Sequence, residues 1–164
     1  MQELHQVINR SLGKIEPPLR LAILGIGQEL RGDDAAGLLL VRELKQKLPE
    51  NENLLLIETG PTPENFTGIL RRFRPELVLL VDVAWMDEQP GAVRWLTPNE
   101  ITGVSALTHT LPLHVIASYL SSELGCETML LAIQPRGVDF DQPVSEEVEE
   151  AVCSLVDGLP DQCL

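Results

Sequence analysis

Asp34, Asp82 and His109 are the side chains whose types and settings in this sequence allow shared chemistry. Asp34 closes the Gly32-Asp33-Asp34 turn that follows an apolar run over residues 21–27. Asp82 interrupts a second apolar run, 77–83, and His109 stands in a threonine-rich stretch shortly before Pro112. In an open α/β sheet the loops at the carboxyl ends of parallel strands share one crevice, so residues this far apart can meet. Two carboxylates and one imidazole converging there would hold a divalent transition metal with room for a further ligand. Such a mixed oxygen and nitrogen set suits nickel, zinc or manganese better than calcium.

Each residue has a plainer role to weigh. Acids at a helix start are routine caps worth about 0.5–2 kcal/mol. One acid is enough for a cap, which leaves the other free to face the crevice; Asp34 is preferred over Asp33. An ionised Asp82 inside an apolar strand is costly unless a metal, a cation or backbone amides satisfy it. His109 alone would be an ordinary loop histidine. Its weight comes from lying after the Asp82 strand and directly before the helix that Pro112 opens. His114 falls about one turn into that helix as a supporting residue at most, and His5 has no role.

Other chemistries are poorly signalled. Gly25-Ile26-Gly27 resembles the start of a dinucleotide fingerprint, but the third glycine position is Leu30. Asp33 and Asp34 would also repel a pyrophosphate where that motif needs a bare helix N-terminus. The sequence contains no G-x-S-x-G elbow, no H-E-x-x-H pair and no cysteine with a nearby basic partner. Covalent nucleophilic catalysis therefore has no candidate.

The elements that must position these groups alternate along the chain. Apolar runs predict strands over about 20–26, 54–57, 77–83 and 128–133, with a fifth, not necessarily parallel, over 92–96. Helical spacing predicts helices over about 34–48 (Leu38, Val41, Leu44, Leu48) and to about 72 after Pro63. A third runs from Pro112 to Gly125, and a last one starts at a Ser145 cap. This order predicts a three-layer α/β sandwich around a five-stranded sheet. Residues 1–19 read as an extension, with Leu4, Val7, Ile8 and Leu12 at helical spacing before Pro17-Pro18. The single domain is expected over 20–164.

Composition bounds the rest. At 164 residues, 44% hydrophobic and 23% charged, the chain is long enough for one real core. Twelve basic against 25 acidic side chains leave a net charge of −13, which disfavours a phosphate backbone as partner. No stretch is apolar for long enough to span a bilayer. Three scattered cysteines, Cys126, Cys153 and Cys163, read as reduced thiols of a cytoplasmic protein.

Several of these stretches resemble one family in the right order. They are Gly25-Ile26-Gly27-Gln28-Glu29-Leu30-Arg31-Gly32-Asp33-Asp34-Ala35-Ala36-Gly37, Glu58-Thr59-Gly60, Val81-Asp82 and Thr108-His109-Thr110-Leu111-Pro112-Leu113. Together they resemble the hydrogenase maturation proteases, the endopeptidases that trim the C-terminal extension of the nickel–iron hydrogenase large subunit. Ile133-Gln134-Pro135 resembles the branch serving formate-hydrogenlyase-type hydrogenases. The resemblance covers about residues 20–158 and implies a twisted, mostly parallel sheet with helices on both faces. It makes Asp34, Asp82 and His109 both the metal ligands and the catalytic residues of an aspartic-type endopeptidase. It further implies that the metal is nickel carried by the large-subunit precursor, with zinc or cadmium able to substitute, and that the protease is a cytoplasmic monomer. Gln28 stands where asparagine is commoner and Ala35 where glycine often follows the acids; residues 1–19 are extra to the family core. Competing readings are a non-catalytic module that binds nickel or a small ligand, and a nucleotide-binding Rossmann-like domain.

Overall fold

The structure is a computed structural model that describes residues 19–49, 51–100, 105–106 and 112–158. The predicted helix within 1–19 lies outside them. Among the described residues the strands are β1 (Leu21–Ile26), β2 (Leu54–Gly60), β3 (Leu77–Trp85), β4 (Val93–Leu96), β5 (Ser105–Ala106) and β6 (Glu127–Ile133). The helices are α1 (Ala36–Lys47), α2 (Thr67–Phe73), α3 (Leu113–Leu124) and α4 (Glu146–Gly158). The main sheet runs β2-β1-β3-β6-β4, with the two-residue β5 beside the end of β3. β2, β1, β3 and β6 are mutually parallel, and β4 joins β6 antiparallel at the edge. This is the expected five-stranded, mostly parallel sheet.

The apolar runs become buried strands because both sheet faces are covered. Ile23, Leu79 and Val81 face α1 and α4, while Leu24, Val78 and Leu80 face α2 and α3. The helical stripes land as their spacing predicts: Leu38, Val41 and Leu44 on α1, Ile116 and Leu120 on α3, and Val148 and Val152 on α4 are all buried. Gly125 ends α3 in the left-handed conformation, φ 64°. A 3-10 helix over Pro63–Phe66 starts at the predicted proline and leads into α2.

Three local expectations differ. β2 runs on through Gly60 and β3 through Trp85, beyond their apolar stretches. Backbone pairing extends both, since β1 accepts Gly60 as a partner opposite Ile26 and β5 pairs with Ala84 and Trp85. The helix predicted from residue 34 begins instead as a 3-10 turn over Gly32–Ala35 that contains both Asp33 and Asp34, and the N-cap position of α1 falls on Ala35, which makes no side-chain cap bond. At α4 the Ser145 hydroxyl has no hydrogen-bond partner; its carbonyl accepts the Val148 and Glu149 amides.

Glycines bring α1 unusually close to the sheet. A Cβ built on Gly25 would lie 2.2 Å from the Gly37 carbonyl oxygen, and one on Gly37 would lie 2.4 Å from the carbonyl oxygens of both Ile26 and Val81. The start of α1 therefore sits directly on the carboxyl ends of β1 and β3.

Candidate active site

The chain doubles back as it leaves β1. Gly27 takes φ +137°, and a Cβ there would fall 1.7 Å from the Asp34 carbonyl oxygen. The Gln28 amide donates to that same oxygen at 3.3 Å, and the Gly27 amide to the Gly60 carbonyl at 3.2 Å. Only glycine permits this path. Its consequence is that Asp34 lies over the end of β1.

Asp82 arrives at the same level by register. Gly25 is opposite Val81 in the β1–β3 ladder, so Asp82 stands level with the last residue of β1. Strand alternation puts it on the side of Val78, Leu80 and Ala84, facing α3. Asp34 and Asp82 are both 0% exposed. One Asp82 oxygen accepts the Val83 amide at 2.8 Å. The fold thus brings two of the predicted residues to the carboxyl edge of the sheet, Asp34 from the 3-10 turn after β1 and Asp82 from within β3, and withdraws both from water. Fully desolvated carboxylates are costly and are kept where a cation or a donor set compensates them.

Asp33 has a different task. One of its oxygens accepts the Arg136 and Gly137 amides at 2.6 and 3.1 Å, and the other accepts the Ser145 amide at 2.6 Å. These donors come from the segment between β6 and α4, more than a hundred residues away in sequence. The two adjacent acids divide the work: Asp33 is committed to backbone amides, and Asp34 lies over the strand end. This rim carries buried acids where a dinucleotide site needs open helix amides, which disfavours the Rossmann-like reading.

Gln134 is a functional candidate to which the sequence reading gave no role beyond its place in the Ile133-Gln134-Pro135 stretch. It is 3% exposed; its side-chain oxygen accepts the Met86 amide at 2.7 Å, and its side-chain nitrogen donates to the Pro135 carbonyl at 3.1 Å. Gln134 therefore holds the chain immediately after the Asp82 strand. The available signal was an amide side chain closing an apolar strand directly before proline.

Glu58 and Thr59 support the rim from β2. The Thr59 hydroxyl donates to the Gly25 carbonyl at 3.0 Å. Glu58 pairs with Arg42 at 2.7 Å and Lys45 at 3.0 Å, tying β2 to α1. Burial opposes ionisation of Glu58, but hydrogen bonds from Arg42 and Lys45 outweigh it and hold the carboxyl below its ordinary range. The pair's stabilising effect is then fully present above the ordinary carboxylate range and is lost as pH falls through the lowered folded-state value. Because these side chains are partly exposed, Glu58→Gln is expected to cost less than about 1 kcal/mol at pH 7. Chemical denaturation should show the difference vanishing in acid.

His109 lies outside the described residues. Of the chain flanking it, Ala106 pairs with Ala84, two residues past Asp82, and Pro112 precedes the buried Leu113 of α3. His114 is half-buried in the first turn of α3. Among the described residues no three His, Cys, Asp or Glu side chains gather as a metal site. Cys126 and Cys153 are free thiols, and burial pushes the Cys126 thiol up. No described helix is long and apolar enough to cross a membrane.

Known proteins share both the sequence and this architecture. The sequence model of the HycI family, described as hydrogenase maturation protease, matches residues 38–161. The hydrogenase 3 maturation protease of Escherichia coli K12 is 34% identical over 138 residues, covering 84% of this chain and 86% of its own. A Methanocaldococcus jannaschii protein, described by inference as a hydrogenase maturation protease, is 40% identical over 154 residues, or 90% of either chain. The solved NiFe hydrogenase maturation protease HycI of Thermococcus kodakarensis KOD1 superposes with a TM-score of 0.80 at 30% identity, over 92% of this chain and 94% of that one. A non-catalytic binding module is set aside by these relatives. The chain belongs to the HycI family of hydrogenase maturation proteases and is a peptidase.

Proposed function

We propose that this peptidase removes the C-terminal extension of a nickel–iron hydrogenase large-subunit precursor and reads the nickel already seated in that precursor. Asp34, Asp82 and His109 are the residues that contact it. The observation that carries this reading is the pair of wholly buried carboxylates at the carboxyl edge of the sheet, one in the turn after β1 and one within β3. Two desolvated carboxylates gain most when a divalent cation arrives, and an imidazole would complete a set suited to nickel. His109 lies three residues from Ala106 and three from Pro112, both in chain that borders this edge.

The nickel belongs to the substrate, and the protease's part is to grip it and so orient the neighbouring peptide bond. A carboxylate of the pair is the chain's own available base for an attacking water. Water adds to the scissile carbonyl as its proton passes to the carboxylate. The carbon–nitrogen bond then breaks, and the released amine takes up the proton. Among the described residues, the exposed thiol of Cys153 lies on α4 and the buried one of Cys126 before β6, so neither is placed to serve as a nucleophile at this edge. The partner is thus the precursor protein, met by a cytoplasmic monomer, and zinc or cadmium would occupy the same three contacts.

The test is processing of purified precursor with and without nickel. The full chain should release a short C-terminal fragment from the nickel-loaded form alone, and His109→Ala should release none. Equal cleavage of nickel-free precursor would reject the nickel reading, and full activity of His109→Ala would reject that contact.

A further inference from the structure

We infer that residues 134–145 form a brace that sets Asp34 and Asp82 relative to each other, held to the Asp34 turn by Asp33 and to the end of the Asp82 strand by Gln134. The inference rests on the reading of Asp34 and Asp82 as the nickel contacts. It assigns Asp33 and Gln134 as positioning residues.

Through Asp33 the brace is zipped to the turn after β1. Besides the three amides that Asp33 accepts, the Gly32 amide donates to the Gln142 carbonyl at 3.1 Å and the Asp33 amide to the Gly137 carbonyl at 3.0 Å. The Asp141 amide reaches the Leu30 carbonyl at 2.8 Å. Gly32, at φ +54°, makes the close approach possible, since a Cβ there would sit 2.9 Å from the Gly137 carbonyl oxygen. Successive side chains of a 3-10 helix diverge by about 120°. Pinning Asp33 at three points therefore fixes the direction in which Asp34 leaves the same turn. Three charge-assisted bonds to a distant loop exceed what a helix cap needs.

At its start the brace grows directly from β6. Ala132 is opposite Asp82 in the β3–β6 ladder, and Gln134 comes two residues later. Its side chain holds Met86, four residues beyond Asp82, while its backbone bonds to Gly91 and Ala92. The segment is thus tied to the Asp82 strand at its start and to the Asp34 turn along its length. Asp33 itself is not a metal contact, because its oxygens are already committed to amides.

The experiment compares Asp33→Asn and Gln134→Leu with the core variant Val152→Ala, all in the full chain. Asparagine retains one acceptor and turns an amide group toward the donors; leucine removes every bond that the Gln134 side chain makes. Processing of nickel-loaded precursor is measured as kcat and KM, cadmium binding to the isolated chain by titration, and stability as Tm. Each brace variant should lose about 10–100-fold in kcat and in cadmium affinity, with KM within about twofold. Val152→Ala should lose Tm and keep both. Wild-type values, or losses that merely follow Tm along the line set by Val152→Ala, overturn the brace. If Asp33→Asn does not fold, Gln134→Leu decides by the same criteria. Asp34→Asn is run in parallel: full processing by that variant rejects the underlying contact assignment and the brace with it, whereas wild-type brace variants beside an inactive Asp34→Asn reject the brace alone.

Discussion

Asp34→Asn should abolish fragment release from nickel-loaded precursor, by about 10²–10³-fold or more, while the Tm of the isolated chain stays level or rises. Loss of one preorganised electrostatic contact at a reacting centre is commonly of this size. The stability half follows from burial. Asp34 is wholly withdrawn from water, and an isosteric neutral amide has a much smaller desolvation cost than a carboxylate. A residue whose neutralisation costs the reaction but not the fold is one retained for function. Asp82→Asn should behave alike, because its amide oxygen can still accept the Val83 amide. Mass spectrometry of the fragment and a thermal melt together check both halves. Normal processing, or collapse of the fold with no intrinsic loss of rate, would contradict the assignment.

Gly37→Ala should destabilise the chain by about 3 kcal/mol or more, near the upper end of overpacking effects. For a domain of this size that is a fall of about 10 °C in Tm. In an exposed helix the same change would stabilise, since glycine is the weaker helix former. Here the added Cβ would meet two carbonyl oxygens at 2.4 Å, those of Ile26 and Val81, and neither strand can retreat without breaking its ladder. Gly68→Ala is the matched control. Its Cβ would have nothing within 4 Å on α2, so a gain of about 0.5–1 kcal/mol is expected. Moving α1 outward would also carry the Asp34 turn away from Asp82, so processing should fall along with Tm. Equal melting temperatures for wild type and Gly37→Ala would mean that the close contact has no energetic weight.

The buried strands and helix stripes were legible in the sequence because each is a periodic pattern of one property. The near-continuous apolar runs of β1 and β3 specify strands covered on both faces, and Leu38, Val41 and Leu44 specify one face of α1. Asp82 was legible for the same reason in reverse, as a charge where the pattern allows none. The ends of elements were less legible. β2 and β3 continue past their apolar residues through hydrogen bonds to neighbouring strands, which no local pattern records.

Sequence alone therefore determined the layers and the short set of polar residues able to share the carboxyl edge. Only tertiary structure decided that Asp33 is committed to the amides of a distant loop, and that Gln134 holds the chain leaving the Asp82 strand. The physical reason is range. Periodicity and burial are read within a few residues, whereas the amides that claim Asp33 lie 103 to 112 positions along the chain and the one that claims Gln134 lies 48 away. Identical neighbouring acids become different groups when a distant loop commits its amides to the side chain of one of them.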